Sequence, residues 1–329
     1  MSAVDAAVLV ADVGGTNVRF ARVDPTGAKP LIAGSIRRYR VTEYETFTDA
    51  ALAYLGETGA RASRAVFAFA GQVRDGEVQV TNHRWSVSRD RVRAELALDE
   101  VSFVNDFAAM SLCVPLLGVD ERHSIGDVAP PSMDGRRTFA VVGPGTGLGV
   151  GALLLRDGRA GALETEGGHA AFAPRTEEEL EVLRRLAARF GRVSNERLLC
   201  GAGLSNLHEA LGDLHGTEGG RLEPDEITRR AAAGEDACCV RAIELFCELL
   251  GSVAGDFVLA FGAWDGVWLG GGMTPLLLPW LERGGFRRRF EEKGRLTESM
   301  QRVPSVAILH PDAGLLGAAA YALGRGGRA

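Results

Sequence analysis

Apolar and polar residues follow two different periods along this chain. Val8-Leu9-Val10, Val66-Phe67-Ala68-Phe69-Ala70, Val101-Ser102-Phe103-Val104 and Val267-Trp268-Leu269 are short apolar runs that predict buried strands. Longer stretches carry helical spacing. Glu178 to Phe190 has an acidic first turn and a basic last turn, in keeping with the helix macrodipole, and Val240 to Ala263 predicts a long buried helix. Another helix is predicted after Gly270-Gly271-Gly272, with Thr274 as its N-cap and Pro275 at its first position. The last, Ala313 to Leu323, follows His310-Pro311-Asp312. Glu177-Glu178-Glu179 reads as a solvated helix start. Strands alternating with helices predict an α/β architecture.

One strand-loop-strand pattern occurs twice. The first copy runs from Val8 through Asp12, Gly14, Gly15, Thr16 and Asn17 to a turn at Asp24-Pro25-Thr26-Gly27. The second runs from Thr138 through Gly143, Gly145, Thr146, Gly147 and Gly149 to a turn at Asp157-Gly158. Each glycine-threonine bend leaves as a second β-favouring run, not as a helix. Glycine lets backbone amides approach phosphate oxygens where a Cβ would intervene, and the threonine hydroxyl adds a donor. A single such bend is more often a plain hairpin; repetition brings phosphate binding level with that reading and suggests two lobes gripping one polyphosphate. A dinucleotide fingerprint needs a helix after its glycines, and a Walker loop needs a lysine after its last glycine; neither condition is met. Lysine occurs only at Lys29 and Lys293, so backbone amides, a metal ion or arginine must meet the phosphate charge.

Composition narrows the function classes. The 329 residues, 46% of them hydrophobic and 24% charged, suffice for two domains that each bury a core. A net charge of −6 lacks the basic footprint of a nucleic-acid binder. The five cysteines are odd in number and contain no C-x-x-C pair, which points to a reducing compartment and indicates neither a disulfide framework nor a structural zinc site. A buried-type strand within the first ten residues leaves no room for a signal peptide, and no apolar run reaches the length of a membrane span. A domain boundary is expected near Pro115.

Taken together, Asp12 to Asn17, Thr81-Asn82-His83 with Trp85, Asn105-Asp106-Phe107, Gly143 to Gly149, Glu166-Gly167-Gly168-His169 with Phe172-Ala173-Pro174, Val193-Ser194 with Glu196-Arg197, Gly201 with Gly203-Leu204, and Gly270 to Gly272 resemble the bacterial glucokinases of the hexokinase, heat-shock-cognate 70 and actin superfamily. Nearly the whole chain is covered. The resemblance implies a two-domain actin-like, ribonuclease H-like ATPase fold with an inter-domain cleft. Residues 1–115 would form a small α/β domain completed by a C-terminal helix over 310–329, and residues 116–309 a large one. It also implies ATP-dependent phosphorylation of glucose at the 6-hydroxyl, with ATP and Mg²⁺, in a cytoplasmic homodimer, with no nucleic acid or membrane as partner.

Asp106 stands at the carboxyl end of a predicted strand, where α/β proteins deliver groups into a crevice. Position alone permits either a catalytic base or a cap for the helix beginning at Phe107; the resemblance implies the base. It likewise implies that Asn105, Asp106, Glu166, His169 and Glu196 bind sugar, although Glu166 and His169 also suit a polar turn and Glu196 a helix start after Ser194. Asp12 resembles the residue reaching the magnesium-nucleotide through water. Gly14, Gly15, Thr16, Asn17, Gly145, Thr146 and Gly147 would contact phosphate, with Thr16 and Thr146 facing each other, and Gly271 and Gly272 would lie against adenosine. Asn82, His83 and Trp85 belong to a loop that the resemblance implies is near the sugar side, and no contacts are assigned to them. No protein-bound metal site is expected. A sugar-responsive repressor of similar fold would need a DNA-binding domain before the first strand, and an actin-like filament protein has no use for the sugar constellation.

Overall fold

A computed structural model of the chain describes residues 8–25, 29–32, 34–81, 83–216, 220–324 and 327–328. The first half runs β1 (Val8–Val13), β2 (Asn17–Val23), β3 (Arg37–Arg40), α1 (Phe47–Thr58), β4 (Arg64–Phe69), β5 (Val73–Arg74), β6 (Glu77–Gln79), β7 (Ser86–Ser88), α2 (Arg89–Glu95), β8 (Glu100–Asn105) and α3 (Asp106–Cys113). The second begins with β9 (Arg122–Ser124), β10 (Arg137–Pro144), β11 (Leu148–Arg156), β12 (Arg159–Glu164), α4 (Glu177–Phe190), α5 (Gly201–His215), α6 (Pro224–Ala233) and α7 (Ala237–Phe261). It closes with β13 (Val267–Leu269), α8 (Thr274–Leu281), α9 (Gly285–Glu291), α10 (Thr297–Met300), β14 (Ser305–Ile308), α11 (Ala313–Ala322) and β15 (Gly327–Arg328).

The repeated hairpins become the centres of two sheets. One is ordered β3-β2-β1-β4-β8 and the other β15-β12-β11-β10-β13-β14-β9, beside a small β5-β6-β7 sheet. In each large sheet an antiparallel hairpin, β1-β2 or β10-β11, is extended by a third antiparallel strand on one side and two parallel strands on the other. Asp157 and Gly158 both take positive φ, 52° and 74°, as a two-residue hairpin turn requires. Of the corresponding turn in the first copy, Thr26 and Gly27 lie outside the described residues.

Helices α3 and α11 pack on each other between the sheets, α3 against β11 and β12, α11 against β1 and β4. Their approach depends on Gly317, where a Cβ would stand 1.6 Å from the Ala109 carbonyl oxygen. Gly317→Ala must push the helices apart and is expected to cost about 1–3 kcal/mol, the usual range for overpacking. Chemical denaturation reads this as a lower midpoint at unchanged slope.

Three local expectations are corrected. Thr274 is the first residue of α8, not its cap; Met273 holds the cap position, and the Thr274 hydroxyl donates back to the Gly270 carbonyl. The acidic start of α4 is not uniformly solvated: Glu179 is 1% exposed and pairs at 2.7 Å with Arg289, itself 5% exposed, because α9 packs over that turn. The final helix stops at Ala322, and Gly327–Arg328 pairs with β12, so residues 310–329 are not one helix; of these, 325, 326 and 329 lie outside the described residues.

Candidate active site

The carboxyl ends of β1, β4 and β8 and the bend between β10 and β11 meet at a cleft of about 530 Å³. Among the described residues its walls carry Asp12, Asp106, Glu166 and Glu196 but only one guanidinium, Arg19. Such a wall is short of positive charge.

Of the two roles that position alone had left open for Asp106, the capping one falls to its neighbour Asn105. Asn105 is the N-cap of α3: its Oδ1 accepts from the amides of Phe107 (2.9 Å) and Ala108 (3.1 Å). Its Nδ2 donates to the Gly71 carbonyl at 3.2 Å, which leaves one N–H for the cleft. Relieved of capping, Asp106 is the first residue of the helix; its Oδ1 accepts the Phe107 amide at 2.9 Å and the residue lines the cleft. Burial, then the nearby Asp12 carboxylate, push its pKa up to about 7 against the lowering effect of that amide. Asp12 is itself raised by burial, although Arg19, its cross-strand partner, donates to Oδ2 at 3.1 Å.

Glu166, His169 and Glu196 gather on the opposite wall. His169 ends a single 3₁₀ turn, Gly167–His169, with Nε2 4.0 Å from Glu166 and Nδ1 3.9 Å from Glu196. A Cβ at Gly168 would stand 2.1 Å from the Leu148 carbonyl, so the glycine pair draws this turn tightly onto β11. Glu196 lies in another 3₁₀ turn, Asn195–Arg197, and its Oε2 accepts the Leu148 amide at 2.9 Å. The carboxylate therefore faces the second hairpin and does not serve its own turn.

The glycines of that hairpin do different work from one another. A Cβ at Gly149 would overlap the Phe107 ring at 1.8 Å, and one at Gly143 would meet it at 2.7 Å, so these two seat the first side chain after Asp106. At Gly147 a Cβ would strike Glu196 Oε2 at 2.4 Å. Only Gly145 is open, its nearest neighbour being the Gly272 amide at 3.9 Å. Gly271, with φ +81°, lies against the Pro144 carbonyl, whereas nothing stands within 4 Å of a Cβ at Gly272.

The first hairpin contributes less than expected. Gly14 and Gly15 line the cleft, but Thr16 and Asn17 do not: the Thr16 carbonyl accepts the Val41 amide, Asn17 pairs with Arg40 in the sheet, and only Thr146 of the two threonines reaches the cavity. Trp85 is a core residue, 3% exposed and set edge-on against Phe47, while Asn82 lies outside the described residues. Arg19, Thr81 and Gly314 line the cleft and were missed by sequence reading. Arg19 had one signal, a strand position across a hairpin from Asp12. Gly314 lies in the segment expected to complete the small domain, but its particular contact is not local: a Cβ there meets the Asp12 carboxylate, 2.7 Å from its Cγ, only once α11 has returned.

A glucokinase family model matches residues 9–325. The glucokinase of Stenotrophomonas maltophilia strain R551-3 is 52% identical over 324 residues, 98% of this chain and 96% of its own. Among solved structures, the glucokinase from an Antarctic psychrotroph is similar with a TM-score of 0.84 at 31% identity, covering 96% of this chain and 98% of its own. That of Balamuthia mandrillaris, solved in complex with glucose, shares the fold with a TM-score of 0.81 at 21% identity over 97% and 94% of the two chains. The actin-like architecture that the resemblance implied is thus the one this chain adopts, and the chain belongs to the glucokinase family.

Proposed function

We propose that this cleft phosphorylates glucose at its 6-hydroxyl with ATP, Asp106 acting as the general base. The observation that carries the assignment is the placement of Asp106 at the cleft, free of the capping role that Asn105 fills and with a pKa pushed up to about 7. A base of that strength is about half ionised at neutral pH and basic enough to accept a proton as it leaves. Asn105, Glu166, His169 and Glu196 bind the sugar, since carboxylate, amide and imidazole together satisfy hydroxyls that both donate and accept. Asp106 takes the 6-hydroxyl proton as that oxygen attacks the γ-phosphorus, and the electron pair of the broken bond leaves with ADP.

Gly14, Gly15, Gly145 and Thr146 supply the phosphate cradle. Gly147, Thr16 and Asn17 act indirectly, the first by seating Glu196 and the other two by shaping the hairpin. Gly271 and Gly272 offer bare backbone to adenosine. A wall of carboxylates with a single guanidinium fits a polyphosphate only together with a cation, and Asp12 would hold Mg²⁺ through water. That ion neutralises charge developing on the phosphates. Residues 1–115 and 116–309 move as two lobes, and their closure excludes water that would otherwise hydrolyse ATP. The family argues for a cytoplasmic homodimer; no described helix is long and apolar enough to cross a membrane. Light scattering in solution checks the dimer.

A panel of hexoses with ATP and Mg²⁺, followed by ADP release, tests the function directly. Glucose is expected to give the highest kcat/KM; turnover with none of the hexoses refutes the reading. The pH dependence is a further expectation. The base works only as carboxylate, so kcat/KM for glucose should be level above the Asp106 pKa of about 7 and fall toward tenfold per pH unit below it. An acid limb placed near 4, the ordinary carboxylate value, would mean that burial does not raise the Asp106 pKa.

A further inference from the structure

Away from the cleft, His208 in α5, Asp236 just before α7 and Cys239 in its first turn bring one ligating atom each to within 4.8 Å of one another. We propose that these three side chains form a binding site for a thiophilic divalent cation of the zinc class.

His208 is 5% exposed, and its Nδ1 has no hydrogen-bond partner within the protein. A polar nitrogen buried without a partner is costly, and ligation is one way to satisfy it. Cys239 is fully buried, and its thiol donates to the Asp236 carboxylate. A cation would take the place of that shared proton. Imidazole, thiolate and carboxylate are a zinc-type donor set, with bonds of about 2.0–2.3 Å, so small side-chain rotations close the trio on one ion. Asp236 is already oriented for this: Oδ1 accepts the amides of Cys238 (2.8 Å) and Cys239 (3.1 Å), leaving Oδ2 available. Burial and the Asp236 carboxylate keep the Cys239 thiol protonated in the free protein, so the entering ion itself displaces that proton.

Charge decides whether the site is tenable. The nearest cation is Arg230, whose Nη1 lies 3.9 Å from Asp236 Oδ2, but its Nε already bonds Glu226 at 2.6 Å. A divalent ion with one thiolate, one carboxylate and a neutral imidazole sums to zero, so the loaded site buries no net charge. The fourth position falls on the Asp236 side, which is partly exposed. An ion there would tie α5 to the start of α7. Because the Gly201 amide at the head of α5 donates to the Gly145 carbonyl, the tie ends about 10 Å along one helix from the phosphate loop. Sequence spacing conceals the site because its ligands come from separate elements.

Full-length protein stripped with chelator and titrated with Co²⁺ should bind one equivalent and develop the near-ultraviolet absorption of a thiolate-to-cobalt charge transfer. Zn²⁺ should displace that band and raise the Tm. Cys239→Ser should abolish the band and His208→Gln should weaken binding at least tenfold, whereas Cys238→Ser should leave both unchanged. If Cys239→Ser does not fold, Asp236→Asn, which keeps the capping oxygen, serves in its place with the same tenfold loss expected. No band in the natural chain, a band persisting in Cys239→Ser, or affinity unchanged in both His208→Gln and Asp236→Asn overturns the site. None of these readouts depends on sugar phosphorylation.

Discussion

Asp106→Asn should lower turnover by about 10²–10⁴-fold, the usual worth of a positioned general base, while glucose binding weakens far less. The substitution keeps the shape of the side chain and its acceptor toward the Phe107 amide, so the first turn of α3 should persist. Asn105 anchors that turn independently through two amides. Loss of turnover therefore cannot be assigned to a frayed helix, which is the ambiguity that sequence position alone leaves. Calorimetry with glucose separates the outcomes. Near-normal affinity with collapsed kcat supports the base, whereas near-normal kcat in a folded variant refutes the mechanism. The acid limb of kcat/KM should also vanish from the residual activity, because the group that titrates near 7 has gone.

Gly145→Val should raise the KM for ATP by on the order of 10²-fold and leave the KM for glucose within a few-fold. Among the four glycines of the second bend, this is the one whose Cβ meets no atom closer than 3.9 Å. A side chain there strains nothing in the empty protein; it occupies space that phosphate oxygens would need to reach the backbone amides. One hydrogen bond to a charged group is worth about 1.5–3 kcal/mol, which is roughly 10- to 150-fold in affinity. Gly149→Val makes the contrast, since its Cβ would overlap the Phe107 ring and disturb Asp106 through the chain. That variant should lose kcat. If Gly145→Val altered the glucose term alone, the loop would belong to the other end of the cleft.

Several parts of the fold were legible because they are local. The doubled hairpin shows as a repeated apolar run, glycine bend and apolar run, and each copy becomes the centre of one sheet. The turn at Asp157-Gly158 was readable for the same reason, as both residues tolerate positive φ. The cap of α8 was misread by one residue, since Thr274 and Met273 compete for adjacent positions and only the packed Gly270 carbonyl decides between them. Glu179 was misread for a longer-range reason: nothing within α4 announces that Arg289, more than one hundred residues later, will bury it.

The chain by itself determined the chemistry available: which carboxylates, amides and imidazole stand at strand ends and glycine turns, the absence of lysine from the two glycine-threonine bends, and the repeated hairpin from which each sheet is built. Those properties follow from residue type and short-range periodicity. Only the tertiary structure decided which glycine faces the cleft and which three accommodate Phe107 or Glu196, that Asn105 and not Asp106 caps α3, and that Gly314 is the residue of the returning α11 that fits against Asp12. It also decided that Asp106 sits partly buried in the cleft beside other carboxylates, from which its raised pKa comes. Each of these depends on distances between segments far apart in sequence, and burial and electrostatic coupling are functions of distance in space, which order along the chain does not encode residue by residue.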